Sequence, residues 1–351
     1  MKPVPSPKLK LRRWLLPWFL ALAALANLAY PMYVHYDFSH SSDTRSYLRM
    51  AAGRFDSARV THRYRVLVPA AAAVVAGPVA KIYARVWPQR PAGFWPLRFA
   101  FYLVNCLLLA AAAAAWFNAA RYTGAASAAA ALAMLAVLTS RWAVYGAGLP
   151  LTDSLYLLVV SLGYFAIRRG PGGGWALALA LAFGPLAKES FVFLIPWLLW
   201  LGRPALTLPK QLLALFFGLV TLFAVHRWVD AQTGANAGQS VSNAFEHVEN
   251  VIYSLRRAAS PKGVGELLSI FGLYTLIPPL ALWLLKPKQS TPQPAVFARL
   301  GAPEAGLAVA VGVHMLLSGD LGRMGYLFAP AFCVLLALCF THWRQLAARL
   351  T

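Results

Sequence analysis

The stretch "WLLPWFLALAALANLAYPMYVHYDFSHSSDTRSYLR" (residues 14–49) begins as an apolar run long enough to enter a bilayer and ends in acids and arginines. Crossing the hydrocarbon core as a helix takes roughly 20 mostly apolar residues. The run from 14 to about 34 meets that length and is followed at once by Asp37, Asp43, Arg45 and Arg49. The chain holds only 11 acidic residues in 351. A carboxylate set at a membrane edge is costly and marks a functional suspect.

Working outward, the same pattern recurs. Apolar helical candidates lie at 14–34, 66–84, 97–117, 126–146, 153–167, 175–187, 190–201, 210–228, 266–285, 303–318 and 324–341. The chain is 60% hydrophobic and 12% charged, against about 25% charged in a soluble domain. Alanine- and leucine-rich runs argue helix over barrel strand. The expected fold class is an all-α polytopic membrane protein forming one membrane domain over 1–351. Its parts would be a first transmembrane helix at 13–34, a first outer loop at 35–96, core helices at 97–228, a second outer loop at 229–265 and C-terminal helices at 266–351. "ALA" at 24–26 has the look of a signal-peptidase site, but the apolar run continues past it, as an uncleaved anchor would. Cys106, Cys333 and Cys339 sit inside apolar runs and suggest packing, with no disulfide framework or metal cluster.

The formal net charge is +21. Nucleic acid is the usual partner of so basic a chain, but lysines and arginines collect on the cytoplasmic side of membrane proteins and face anionic lipid. Membrane lipid is therefore the expected partner and nucleic acid is not. An N-terminus placed inside by Lys2, Lys8, Lys10, Arg12 and Arg13 sets the loops alternating. This holds if 66–84 lies along the outer face without crossing; Arg121, Arg168, Arg169, Arg203 and "KPKQSTPQP" (286–294) then fall inside, with about ten crossings. All the acids except Glu304 face outward. The first outer loop is then unusually arginine-rich from Arg45 to Arg98, which an anionic ligand would explain.

Five clusters could carry chemistry. In "YDFSHSSDTRSYLRMA" (36–51), Asp43, Tyr47 and Met50 would share one face of a short helix starting near Ser42, with Asp43 offered to a substrate or serving as a first-turn acid. In "THRYRVLVP" (61–69), Arg63 and Arg65 flank Tyr64, as phosphate ligands or interfacial anchors. In "GLPLTDSLY" (148–156), Asp153 opens a helix beside Thr152. In "GPLAKESFVF" (184–193), Lys188 and Glu189 interrupt two apolar segments, and adjacent residues need not pair with each other. In "SGDLGRMGY" (318–326), Asp320 and Arg323 suit a local ion pair, or Arg323 reaches a shared cavity with Lys188. His35 and His40 near Asp37 are a weak metal-ligand set, and no HExxH appears.

At these motifs, in this order along most of the chain, the sequence resembles the GT-C superfamily of membrane glycosyltransferases, which use polyprenyl-phosphate sugars as donors. The resemblance implies a GT-C-like helical bundle, interfacial helices in the first outer loop, and the first-loop acid as general base. Many members carry two acids adjacent or one residue apart; here Asp37 and Asp43 stand alone, six apart. Asp43 and Asp153 are then the catalytic carboxylates, with Asp43 the base. Arg63, Arg65, Lys188 and Arg323 would hold the donor phosphate, and Asp37, Tyr47, Tyr64, Glu189 and Asp320 would orient substrate. No cofactor is assigned, and the resemblance leaves a divalent metal open. The implied setting is a bacterial inner membrane with a periplasmic or extracellular site, a lipid or lipid-linked glycan acceptor, and inversion at the sugar carbon. A transporter or flippase for an anionic lipid or solute is the alternative, though internal repeats are not seen; a non-catalytic envelope scaffold is the third reading.

Overall fold

A computed structural model describes residues 7–37, 41–60, 62–89, 93–234, 244–284 and 300–347. Among these residues the chain is helical and contains no strand. The helices are α1 (Pro7–Leu28), α2 (Tyr30–His35), α3 (Ser42–Ala51), α4 (Leu67–Val86), α5 (Trp95–Thr123), α6 (Ser127–Leu138), α7 (Arg141–Gly148), α8 (Asp153–Arg169) and α9 (Gly174–Ala187). They continue with α10 (Ile195–Leu201), α11 (Leu208–Thr233), α12 (Ala244–Ala258), α13 (Pro261–Leu268), α14 (Ile277–Leu284), α15 (Ala302–Ser318), α16 (Leu321–Gly325), α17 (Ala329–Thr341) and α18 (Trp343–Ala347). The linker "KPKQSTPQP" lies outside the described residues.

Helix α5 is the centre of the bundle and packs against α1, α4, α6, α8 and α17. Its alanines Ala110, Ala112, Ala113, Ala115, Ala119 and Ala120 are fully or nearly fully buried. Small side chains let helix backbones approach closely, which is how helices associate where water supplies no hydrophobic drive. The helix ends at Gly124 in the left-handed region (φ 103°), where a Cβ would be strained. By contrast, α11 exposes Phe216, Phe217 and Phe223 along its length, as a lipid-facing helix would.

Among the described residues, five helices are long and apolar enough to cross a membrane, or up to seven if each of two bent pairs counts as one span. Length and composition therefore mark an integral membrane protein. The expected count of about ten treated shorter helices as full crossings. Gly174–Ala187, Glu189–Leu201 and Ala302–Ser318 each have 10–17 residues, short of the roughly 20 that a straight crossing needs. Two expected single spans are broken. The 126–146 stretch bends by 68° between α6 and α7, and the segment around 266–285 bends by 93° between α13 and Gly272–Ala281. The 66–84 stretch, expected to lie on the surface, is one 20-residue helix that meets the same length test.

The charged residues separate to opposite ends of the bundle. At one end, the Arg13 carbonyl accepts from Asn118, Trp14 packs edge-on to Phe165, and Arg169 stacks over Tyr122. Glu304 pairs there with Arg168 and accepts from the Tyr164 hydroxyl. At the other end lie Asp43, Asp153, Lys188 and Arg323. Helix α8 carries Asp153 on its first turn and Arg168 and Arg169 on its last, so its 17 residues hold the two sets about 25 Å apart.

Candidate functional site

The site is assembled from four segments distant in sequence. Helix α3 is started by Ser41, whose hydroxyl accepts from the Thr44 amide at 3.3 Å. That cap leaves Asp43, in the first turn, free to point elsewhere. Its carboxylate accepts from Arg323 Nη1 at 3.1 Å and lies 3.8 Å from His62 Nε2. Tyr47, one turn on, is buried and its hydroxyl accepts from Arg65 Nη1 at 3.1 Å.

Arg323 is the hub. Asp320 caps the short helix α16 by accepting from the Arg323 amide at 3.0 Å, and its other oxygen lies 3.0 Å from Arg323 Nε. The same guanidinium lies 3.7 Å from Asp153. One cation thus faces three carboxylates. Thr152 makes no side-chain cap, and Asp153, at the start of α8, pairs with Lys188 Nζ at 3.4 Å. The loop before Asp153 is pinned from α5: Asn105 donates to the Leu149 carbonyl at 2.8 Å and accepts from Ser154.

Lys188 and Glu189 are adjacent and serve different partners. Extended backbone at Lys188 (φ −166°, ψ 140°) ends α9, so the two side chains diverge. Lys188 turns to Asp153 and the Met324 sulfur, whereas Glu189 accepts on Oε2 from Arg65 Nη2 at 2.8 Å and Nε at 3.0 Å.

Of the expected site residues, the structure brings together Asp43, Tyr47, Arg65, Asp153, Lys188, Glu189, Asp320 and Arg323. Arg63 is a correction. It is buried and its guanidinium donates to the Ala58 carbonyl, so it braces its own loop. Tyr64 is another: its hydroxyl donates to Asp230 at 2.8 Å and its ring stacks on His226 at 3.6 Å, which docks the loop onto α11. Asp37 is exposed beyond α2. Arg65, Lys188 and Arg323, expected to bind phosphate, are each engaged by carboxylates.

Sequence reasoning missed His62, Arg141, Trp142 and Tyr145. The last three line a cavity of about 570 Å³ with Asp43, Asp320 and Arg323. A second cavity of about 560 Å³ meets the first at Arg141, Trp142 and Asp320 and continues to Arg257, Lys262 and Glu266. Each falls in the roughly 300–1,000 Å³ range of small-ligand sites. No group of three or more His, Cys, Asp or Glu side chains that could hold a metal ion gathers among the described residues. The three cysteines are buried thiols.

The local electrostatics favour an ionised Asp43. Burial pushes its carboxyl up, but Arg323, joined by His62 once that imidazole protonates in acid, outweighs burial and holds it below the ordinary carboxylate range. Burial pushes His62 down from 6.5 to about 4; Asp43 opposes this, while Arg65, Arg59 and Arg323 reinforce it. His62 is therefore neutral in the folded protein near neutral pH. The unfolded chain takes up a proton on His62 near the ordinary value and the folded protein only near 4. Stability is thus fully present above the unfolded value and falls as pH drops through the window between them. His62→Gln is expected to flatten the pH dependence of the melting temperature in lipid nanodiscs across that window. An unchanged slope would assign the acid sensitivity to another group.

Comparison of the chain with protein-family models, with curated proteins and with solved structures finds no match.

Proposed function

We propose that the protein is an integral membrane glycosyltransferase that moves a sugar from a polyprenyl-phosphate donor to a lipid-linked or envelope acceptor, with Asp43 as general base. The observation that carries this reading is the placement of Asp43. It is an ionised, part-exposed carboxylate on the wall of a cavity of about 570 Å³, held by Arg323 and adjoining a second, basic cavity. A base next to an anion-accepting space suits deprotonation of a hydroxyl coupled to departure of a phosphate. The separation of Asp43 and its partners from Arg13, Arg168 and Arg169 favours a site on the outer face, with the arginine end cytoplasmic.

In this mechanism the acceptor oxygen attacks the anomeric carbon while its proton passes to Asp43. The bond from that carbon to the phosphate oxygen breaks, and polyprenyl phosphate leaves with the electron pair. A single displacement inverts the sugar carbon. Arg323 holds Asp43 in place and keeps it charged before the proton arrives. Asp153 and Lys188 fix the far side of Arg323, and the Arg65–Glu189 pair braces Tyr47 behind α3.

The reading is tested with purified protein in nanodiscs offered a panel of polyprenyl-phosphate sugars. Release of free polyprenyl phosphate, matched by sugar appearing on an acceptor, is the expected result. Binding of polyprenyl phosphate with no release from any donor would sink the transferase and favour transport or scaffolding.

A further inference from the structure

The second cavity is not used by the base. Its wall carries three cations, Arg141, Arg257 and Lys262, and two carboxylates, Glu266 and Asp320. Both carboxylates are spent on internal partners. Glu266 accepts from Arg257 Nε at 2.8 Å with one oxygen and from the Gly322 amide at 3.1 Å with the other. Asp320 is occupied by the Arg323 amide and guanidinium. Among the described residues, no carboxylate lies within ion-pair distance of Arg141 or Lys262. Arg257 is committed to Glu266 and the Tyr253 hydroxyl, so Arg141 and Lys262 are the uncompensated charges of this space, and the ligand that satisfies them is an anion with several acceptor oxygens.

The wall itself indicates where that anion comes from. On α13, Lys262, Gly265 and Glu266 are spaced i, i+3, i+4 and line the cavity. Val264 and Leu268, spaced i, i+4, are exposed on the other side. Helix α12 repeats the arrangement: Asn250 and Ser254 bond to carbonyls at the end of α15, Arg257 lines the cavity, and Ile252 and Leu255 are exposed. A pair of helices polar toward a cavity and apolar outward is the pattern of segments lying in the membrane interface. Gly263 permits their tight packing, since a Cβ there would meet the Arg257 carbonyl oxygen at 1.8 Å. The basic cavity thus has a lipid-facing wall.

We infer that the Arg141–Arg257–Lys262 cavity binds the phosphate ester of a lipid carrier, with the carrier chain passing to the membrane beside α12 and α13. The lipid's identity as a polyprenyl phosphate rests on the transferase reading; the anion site stands on the cavity alone. Because the two cavities meet at Arg141, Trp142 and Asp320, a phosphate held here presents its substituent toward Asp43. This proposal places the phosphate on residues other than the expected Arg63, Arg65, Lys188 and Arg323.

The test titrates nanodisc-held protein with radiolabelled polyprenyl phosphate, with neutral polyprenol and inorganic phosphate as competitors. Arg141→Gln and Lys262→Gln should each weaken binding by about tenfold, the loss of one charged hydrogen bond. Arg256→Gln, exposed on α12 outside the cavity, should stay within about twofold of wild type, since it removes only a screened surface charge. Unchanged affinity in both cavity variants would overturn the site, as would failure of wild type to bind. Inorganic phosphate competing as well as the lipid would overturn the lipid source. Equal competition by polyprenol would overturn the phosphate contact. Intact binding without sugar transfer would instead refute the transferase reading and leave the site standing.

Discussion

Asp43→Asn is expected to lower sugar transfer by about 10²–10⁴-fold, the contribution of a positioned general base, while the protein stays folded. The isosteric amide keeps an oxygen to accept from Arg323 but cannot take a proton from the acceptor. The change in stability should be small, about 1 kcal/mol or less, because the lost ion pair is part-exposed and Arg323 retains two other carboxylates. Asp43 has a folded value below its unfolded one. Its contribution is therefore present above the unfolded value and is lost as pH falls through the folded one. The measurement is initial rate of polyprenyl-phosphate release beside a melting curve for the same preparation. Wild-type turnover in the variant would move the base to Asp153, which shares Arg323, or to Asp37. Loss of turnover together with collapse of the melting transition would mean that Asp43 acts on the fold, and the base assignment would fail.

How much of this could be read from residues alone differs between fold and site. The helices were legible because alanine and leucine runs leave no alternative for backbone hydrogen bonds in lipid. Their breaks were not. Between 126 and 146 the only interruption is "TSR", yet Ser140 caps α7 by accepting from the Trp142 amide at 3.2 Å and donates to the Ile270 carbonyl. That second bond comes from a segment 130 residues away, so no local pattern announces it. The bend it stabilises brings Arg141 and Trp142 onto the cavity, which is why both were passed over as parts of a crossing helix. Charged residues at apolar edges were recognisable as suspects by their cost. Their partnerships were not, since Asp43 and Arg323 are 280 positions apart and Arg65 and Glu189 are 124 apart. His62 sits inside a motif that was singled out, but what matters about it, burial against Asp43, is a property of tertiary packing.

Arg323→Gln should be the most damaging single change at the site, for stability as well as rate. The guanidinium faces Asp43 at 3.1 Å, Asp320 at 3.0 Å and Asp153 at 3.7 Å, and is only 26% exposed. Glutamine can satisfy one of these with a hydrogen bond and neutralises none. Lys188, already on Asp153, is then the nearest remaining counter-charge. Breaking a buried pair leaves uncompensated charge and costs about 3–5 kcal/mol; partial exposure here favours the lower end, about 3 kcal/mol. Lysine should rescue only part of the loss, because a point charge on a flexible stem cannot span three carboxylates as a planar guanidinium does. The pH dependence gives a signature that simple packing loss would not. Without Arg323, burial and Asp153 still push Asp43 up while only His62 opposes them, so its folded value moves up toward the unfolded one. The part of stability that wild type loses as pH falls through the folded Asp43 value should then shrink, giving the variant a flatter acid limb. Melting curves of wild type, Arg323→Lys and Arg323→Gln across the acid range would decide it. Parallel pH profiles in all three would mean that Arg323 holds the bundle by shape alone, and the assignment of Asp43 as a carboxylate kept charged by this hub would have to be withdrawn.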